Sequence, residues 1–327
     1  MGNDRFYADP GLDHYRGGQG LDEASFYGAG RSGIRANLTK GVIHGRGHDR
    51  VSGIENVEGT RGGDVIIGSS RDEILEGGDG QDALFGRGGA DFFNAHYEPD
   101  VDRYDGGSGR DFLDVSSFGE RTYADLGRGL LFKYNWRGRP VDYRNWPYAA
   151  LPRGFRRTSD VDRLRHVESL IGGDAHDYFV GDAADNVFIG GGGPDHLEGR
   201  AGEDYLIGSA ALDALYGGEA RDVLIGDCRR LRYNEWALYD YECRAARDDL
   251  FGESGDDVLV GDCALKARAN RCGEARDQLH GGRDVDVVIR CVGRHSQGKL
   301  DTVVTVEDRL PCTWAQFVAA RPPRPDG

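Results

Sequence analysis

The chain has 327 residues, and its 56 acidic side chains outnumber 41 lysines and arginines to give a net charge of −15. This surplus of negative charge argues against nucleic acid as a partner, because the phosphate backbone is itself anionic. No run of 18 apolar residues occurs, so the sequence predicts no membrane span. A mean hydropathy of −0.58 also fits a disordered acidic chain, but glycines that recur at a fixed period favour a repeat architecture.

The first 25 residues already carry this period, since Asp4, Asp13 and Asp22 are spaced by nine. The chain therefore begins inside a repeat, and we expect further sequence upstream, which would account for the lack of a visible secretory signal. The period is interrupted from residue 26 to about residue 43 and resumes before Asp49.

Residues 59–94 are the clearest part of the pattern and form four consecutive units of nine. In each unit position 1 is glycine, position 6 is acidic and position 8 is apolar. These residues are Gly59, Gly68, Gly77 and Gly86 at position 1, Asp64, Glu73, Asp82 and Asp91 at position 6, and Ile66, Leu75, Leu84 and Phe93 at position 8. Three residue types locked in one phase indicate stacked repeats.

Each unit predicts a tight turn followed by a short strand. Glycine at positions 1, 2 and 4 permits φ > 0 and lets the turn carbonyls point inward, and positions 7 to 9 form a strand whose middle residue alone faces the core. One such strand cannot bury its face, so units must stack, which places the position-6 carboxylates in rows about 4.8 Å apart. Anions at that distance repel unless a cation neutralises them, and carboxylate with carbonyl oxygens is the ligand set of calcium.

These units resemble the calcium-binding nonapeptide repeats of RTX (haemolysin-type) proteins, whose pattern is Gly-Gly-x-Gly-x-Asp-x-apolar-x. The resemblance implies an all-β fold, a right-handed parallel β-roll (β-solenoid) with two repeats per turn and several calcium ions between turns. It also implies that Asp64 pairs with Asp82 and Glu73 with Asp91. The calcium ligands that it implies are Asp22, Asp64, Glu73, Asp82, Asp91, Asp111, Asp177, Asp195, Asp204, Asp213, Asp222, Asp248, Asp257, Asp277 and Asp286, with the turn glycines Gly77, Gly80, Gly190 and Gly193.

The larger arrangement is duplicated, because the segment from Asp162 to Glu168 repeats the pattern from Asp49 to Glu55. This order of repeats and interruption is similar to the C-terminal rolls of serralysin-type proteases. We predict two related modules with loop insertions and a C-terminal cap. The predicted parts are a first β-roll module over 1–94, the start of the second module with an aromatic and basic insertion over 95–171, a long second β-roll with disulfide-stapled insertions over 172–290, and a cap and tail over 291–327.

Some turns depart from the glycine pattern. Asn186 replaces the acid at position 6 and removes one charge. Position 4 lacks the favoured glycine in five turns, where we expect distorted or empty sites. The residues at position 4 of these turns are Arg71, Ala175, Ala184, Ala211 and Ala220.

All six cysteines lie in the last third of the chain, and two of the nines there are split by insertions. Each insertion has a cysteine at repeat position 3 and another five residues before the next position-6 acid. This shared placement favours the pairs Cys228–Cys243 and Cys263–Cys272, which leaves Cys291 and Cys312 as a third pair. Free thiols or a metal cluster are the alternatives. Disulfides would indicate an oxidising compartment and therefore secretion.

The C-terminal residues predict a cap, which a solenoid needs over its open end. Residues 300–306 form a β-rich run. Thr313 is placed to N-cap a short helix from Trp314 to Ala320, which Pro322 would stop.

Two insertions could recognise a partner, because both combine aromatic and basic residues. Trp136, Arg139 and Trp146 lie in the first insertion, and Trp236 lies in the second. Aromatic faces stack on sugar rings or cations and arginine binds carboxylates, so an extracellular carbohydrate or a cell-surface partner is one interpretation. The alternative is that the aromatic residues cover the flank of the roll and the arginines pair with its acids.

We predict that this chain is not an enzyme. His44 and His48 stand in His-Gly-Arg-Gly-His, which lacks the glutamate of the zinc motif H-E-x-x-H, and no G-x-S-x-G occurs. The predicted function is a secreted calcium-binding β-roll whose folding is driven by calcium, acting as a structural or binding module. Alternatives are the non-catalytic part of a larger secreted hydrolase or polysaccharide-modifying enzyme, or an adhesion module for carbohydrate or cell surfaces.

Overall fold

The structure is a computed structural model that describes residues 2–8, 11–45, 47–96, 100–119, 121–133, 161–227, 231–233, 237–239, 248–261, 278–282, 287–290 and 302–305. These residues form β-strands and turns, with a single 3₁₀ turn at Tyr27–Ala29 and no α-helix among them. In the same residues, no helix has the length and hydropathy needed to cross a membrane. The chain divides into two compact units, residues 1–171 and 172–327. The four-part division made from the sequence stays a prediction.

Unit 1 contains seventeen strands of the described chain in two sheets. The strands are β1 (Arg5–Tyr7), β2 (His14–Arg16), β3 (Glu23–Ser25), β4 (Arg35–Asn37), β5 (Val42–His44), β6 (His48–Ser52), β7 (Asn56–Thr60), β8 (Val65–Ile67), β9 (Ile74–Gly78), β10 (Ala83–Gly88), β11 (Phe92–Asn94), β12 (Arg103–Ser108), β13 (Phe112–Asp114), β14 (Thr122–Asp125), β15 (Leu130–Lys133), β16 (Val161–Arg165) and β17 (Ser169–Ile171). The first sheet has the order β1-β3-β7-β9-β11-β13-β17, and the second has β2-β6-β5-β4-β8-β10-β12-β16-β15-β14.

Consecutive repeats supply strands to the two sheets alternately. β8 and β10 are parallel neighbours in the second sheet, where Ile66 pairs with Leu84. β9 and β11 are parallel neighbours in the first sheet, where Leu75 pairs with Phe93. Partners therefore lie 18 residues apart, so two nonapeptides make one turn of the roll. This arrangement confirms the predicted all-β parallel β-roll.

The two interruptions of the period in unit 1 form the same structure. In each case an antiparallel hairpin enters the second sheet, β4 with β5 in the first case and β14 with β15 in the second. An Asx cap closes both hairpin turns, since the amide of Lys40 donates to Asn37 and that of Arg128 to Asp125, both at 2.9 Å. The duplication predicted from the sequence is thus a duplicated hairpin.

Unit 2 contains thirteen strands of the described chain. They are β18 (Tyr178–Val180), β19 (Val187–Gly191), β20 (His196–Ala201), β21 (Tyr205–Ser209), β22 (Ala214–Glu219), β23 (Val223–Asp227), β24 (Leu231–Tyr233), β25 (Ala237–Tyr239), β26 (Asp249–Ser254), β27 (Val258–Val260), β28 (Gln278–His280), β29 (Val287–Arg290) and β30 (Thr302–Thr305). One sheet has the order β19-β21-β23-β27-β29-β30 and the other β18-β20-β22-β26-β28, while β24 and β25 form a separate antiparallel pair.

The core of each unit is a column of position-8 side chains. These residues are almost wholly inaccessible to solvent, with Leu75, Phe93, Phe188, Leu206 and Leu224 all 0% exposed. Each neighbouring turn adds one more apolar side chain to the column. Burial of this column is the hydrophobic term that stacks the repeats.

The expectation that only the middle strand residue is buried holds for much of unit 1 and is wrong for unit 2. In β9 and β11 the residues flanking position 8 are half-buried. In β19 and β21 the flanking residues, among them Val187, Ile189 and Ile207, are buried as well. The outward positions of these unit 2 strands are apolar and covered, so the two-residue alternation separates two buried faces.

Candidate calcium sites in the turns

The position-6 side chains form hydrogen-bonded rows along the edges of the sheets. The backbone N–H of each acid donates to one side-chain oxygen of the next acid in the row, as in Asp64 to Asp82 (2.7 Å) and Asp204 to Asp222 (2.9 Å). The same bond links Glu73 to Asp91, Asp91 to Asp111, Asp177 to Asp195, Asp195 to Asp213, Asp213 to Asp248 and Asp222 to Asp257. One carboxylate oxygen of each pair is therefore satisfied by protein.

The second carboxylate oxygen is the unusual feature of these rows. In six of these residues Oδ2 is buried and accepts no hydrogen bond. They are Asp22, Asp91, Asp111, Asp195, Asp204 and Asp222. Buried polar atoms without a partner are rare and costly, and a charged oxygen is the costliest kind. A row of such atoms indicates a missing positive ligand.

The position-1 glycines mark the space that these oxygens face. A Cβ added to Gly199 would collide with Asp204 Oδ2 and would lie 2.7 Å from the carbonyl oxygen of Gly217 in the next turn. A Cβ on Gly190 would meet Asp195 Oδ2 and lie 2.8 Å from the carbonyl oxygen of the next position-1 glycine. A carboxylate oxygen from one turn and a carbonyl oxygen from the next therefore converge at the same place.

Burial raises the pKa of these carboxyl groups. The pKa of Asp91, Asp204 and Asp222 is raised from 3.8 to about 8, chiefly because the charged form is desolvated and further because neighbouring acids repel it. For Asp111 the same causes raise the pKa to about 7. Removal of a row of charges from water with no counter-charge is unfavourable, and protonation or a cation relieves it.

The donor set fits calcium. Every converging atom is a carboxylate or carbonyl oxygen, which hard divalent cations prefer, and calcium accepts several backbone carbonyls in flexible geometry. Nowhere in the described chain do three or more His, Cys, Asp or Glu side chains gather in one place as a metal cluster would require. Each site must therefore combine few side chains with turn carbonyls, as in calcium loops.

Turns with these unsatisfied oxygens share a backbone conformation, and we call them open turns. In an open turn the residues at positions 2 and 4 both have positive φ, such as Gly191 (φ 102°) and Gly193 (φ 88°). The nine open turns in the described part of the chain are 17–22, 77–82, 86–91, 106–111, 190–195, 199–204, 208–213, 217–222 and 252–257. Ala211 (φ 93°) and Ala220 (φ 79°) adopt this conformation without glycine, so the expected distortion at these two positions is wrong.

Four turns differ, and we call them closed turns: 59–64, 68–73, 172–177 and 181–186. Their residues at positions 2 and 4 are not among those with positive φ. Instead, the position-2 N–H donates to the position-6 side chain of the same turn. The bonds run from Thr60 to Asp64 (2.6 Å), Ser69 to Glu73 (3.0 Å), Gly173 to Asp177 (2.9 Å) and Asp182 to Asn186 (3.0 Å). A closed turn thus satisfies its own acceptor.

The predicted ligands fall into three groups. Glu73, Asp64 and Asp177 belong to closed turns. Asp22, Asp82, Asp91, Asp111, Asp195, Asp204, Asp213, Asp222 and Asp257 belong to open turns, as do Gly77, Gly80, Gly190 and Gly193, while Asp248 continues the row after Asp213. Asp277 and Asp286 lie outside the described residues, and so do all six cysteines and Trp136, Arg139, Trp146 and Trp236.

Sequence reasoning missed several members of the rows. Asp102 and Asp162 continue the row after Asp82, because the amide of Asp82 donates to Asp102 and that of Asp102 to Asp162, both at 2.9 Å. Glu168 takes the same place after Asp111. Insertions hide the 18-residue spacing at these points. The recurring triplet Asp-Arg-apolar, which begins at Asp49 as well, could have revealed two of them.

His44 and His48 face each other across the hairpin of β5 and β6, with 2.7 Å between their Nδ1 atoms. Both side chains are exposed. Two ring nitrogens fall short of the three or four protein ligands of zinc sites, which agrees with the absence of the zinc motif.

A comparison with protein-family models decides what the repeats are. The model of the RTX calcium-binding nonapeptide repeat (4 copies) matches residues 2–23, 58–93, 167–197, 189–224 and 245–262. The chain carries RTX calcium-binding nonapeptide repeats. The matched segments include both the open and the closed turns, so the RTX pattern does not separate the two classes. No curated protein matches the chain.

Proposed function

We propose that this RTX-repeat chain is a secreted, non-catalytic module whose β-roll is stabilised by calcium held in its open turns. The observation that carries the proposal is the set of buried Oδ2 atoms without hydrogen-bond partners in six open turns. Asp91, Asp111, Asp204 and Asp222 would hold the ions through these oxygens together with carbonyls of adjacent turns. Calcium would supply the positive charge that the rows lack.

Calcium binding would be coupled to folding. The carboxylates of a row are brought together only when successive turns stack, as in the 2.8 Å bond from the amide of Asp91 to Asp111. In the unfolded chain these groups are solvated and far apart, so the ion has little affinity for that state. A ligand that binds only the folded state adds its binding free energy to folding.

Secretion follows from the affinity expected of such sites. Extracellular calcium modules have dissociation constants of about 10⁻⁴–10⁻³ M, far above cytosolic calcium concentrations. A roll that depends on sites of this strength would be incompletely folded inside the cell and would fold outside it. The disulfides predicted from the sequence favour the same compartment.

Isothermal titration of the full chain with calcium, repeated with magnesium, tests this proposal. We expect several calcium ions to bind per chain, with a rise in melting temperature, and little response to magnesium because it dehydrates reluctantly and demands octahedral geometry. Absence of calcium binding at about 10 mM, well above the expected dissociation constants, would refute the proposal.

A further inference from the structure

We propose that each run of nonapeptides begins with two calcium-independent turns, the closed turns, and that only the open turns take up calcium. This inference rests on the proposed calcium function and assigns its sites. Turns 59–64 and 68–73 are the first two of the run that starts at residue 59, and turns 172–177 and 181–186 are the first two of the run that starts at residue 172.

The hydrogen bonding of the closed turns leaves no role for an ion. Asp64 Oδ2 accepts the N–H of Thr60 at 2.6 Å and its hydroxyl at 3.1 Å, while Oδ1 accepts the N–H of Ile34. Glu73 is held by both the amide and the hydroxyl of Ser69. Both oxygens of Asp64 are therefore satisfied, whereas Asp91 and Asp204 each retain one buried oxygen with no partner.

The residues at position 6 follow the same division. Every open turn in the described part of the chain has aspartate there, as the RTX pattern requires. Two of the four closed turns have another residue, Glu73 and Asn186. Asn186 uses its neutral carboxamide oxygen for the bond that a carboxylate makes elsewhere, since it accepts the N–H of Asp182 at 3.0 Å. Position 6 of a closed turn thus needs a hydrogen-bond acceptor and no charge.

Position 2 supplies a second signal in the sequence. Three of the four closed turns have a side chain there that can bond to position 6: Thr60, Ser69 and Asp182. Ser209 occupies position 2 of an open turn, so a short polar side chain does not close a turn by itself. The closing device is the position-2 N–H, which a residue with negative φ directs at its own turn.

Closed turns also provide the surface on which the first open turns stack. The amide of Asp64 donates to Asp82, and that of Asn186 donates to Asp204 at 2.8 Å. The carbonyl of Asp64 accepts the amide of Ala83 at 2.9 Å. A run can therefore order its first two turns without an ion and present ready donors to the first carboxylate that requires one.

Matched carboxylate-to-carboxamide variants of the full chain test the assignment. Native mass spectrometry at saturating calcium would count the ions bound by the wild type, Asp64→Asn and Asp91→Asn, and a circular dichroism titration would give the midpoint for calcium. We expect Asp64→Asn to keep the ion count and to shift the midpoint less than about twofold, since asparagine already serves at position 186. Asp91→Asn should lose an ion and raise the midpoint more than about fivefold.

The reverse variant, Asn186→Asp, should gain no ion, because the restored charge enters a turn that satisfies its own acceptor. Loss of an ion in Asp64→Asn, or a gained ion in Asn186→Asp, would overturn the assignment. These outcomes are distinct from failure of the proposed function, in which the wild type itself binds no calcium. The ion count at saturation is read independently of stability, so a destabilised variant still gives a decisive answer.

Discussion

Position 4 of the turns offers a substitution whose effect should reverse sign between the two classes. Ala220 lies in an open turn with φ 79°, and Ala184 lies in a closed turn without positive φ; both are exposed. For an L-residue the left-handed region costs about 1–2 kcal/mol, which glycine avoids. Glycine also loses about 0.4–1 kcal/mol more conformational entropy on folding than alanine.

The two terms give a net effect at each position. Ala220→Gly should stabilise the folded state by about 0.5–1 kcal/mol, because relief of the left-handed strain exceeds the entropy loss. Ala184→Gly should destabilise it by about 0.4–1 kcal/mol, because only the entropy loss remains. For a chain of this size the shifts in melting temperature should be about 2–4 °C per kcal/mol, upward for the first variant and downward for the second.

Thermal unfolding at saturating calcium, followed by circular dichroism, measures both shifts on the same scale. Equal exposure of the two alanines removes hydrophobic burial as an explanation for any difference. Melting temperatures that move in the same direction in both variants would refute the assignment of left-handed backbone to one class only.

Three further predictions concern protons, space and the core. The pKa of Asp91 and Asp204 is raised from 3.8 to about 8, so the calcium-free roll should lose stability as pH rises from 4 toward 8, while calcium affinity should increase over that range; a pH-independent affinity in titration calorimetry would contradict this. Gly199→Ala should weaken calcium binding, because its Cβ would occupy the space between Asp204 Oδ2 and the carbonyl of Gly217, and an unchanged isotherm would argue against that placement of the site. Leu206→Ala, at a residue 0% exposed, should lower the free energy of unfolding in urea by about 2–5 kcal/mol, and a change near zero would show that the position-8 column is not the core.

The repeat period determines most of the fold, and it is legible in the sequence. Glycine, acid and apolar residue in one phase predict the turn, the strand and the column of position-8 side chains from Ile66 to Leu259. They predict the spacing of 18 between stacked acids as well, because a strand buried on one face needs a partner two units away.

The division into open and closed turns could not be predicted, because it depends on backbone torsion more than on residue type. Ala175 and Ala184 occupy the same repeat position as Ala211 and Ala220, but only the latter two have positive φ. A short side chain is compatible with either conformation, so local sequence leaves the choice open. The direction of one N–H at position 2 decides it.

Insertions explain the other omissions. Asp102 follows Asp82 by 20 residues and Asp162 follows Asp102 by 60, so neither fits the period of nine, yet both take their places in the row. Their position is set by pairing of β12 with β16 and by the duplicated hairpin, which are long-range contacts. A periodic search does not detect residues whose register is restored only after an excursion.

Far-UV circular dichroism of the full chain against calcium concentration, after removal of calcium with EGTA and with magnesium as the control, tests the central claim most directly. The account predicts a cooperative rise of β signal with calcium and little change with magnesium, because the open turns bury carboxylate oxygens that only a calcium-like ion can satisfy. A full β spectrum in EGTA that calcium does not alter would contradict it, since the rows of carboxylates would then be stable without any ion.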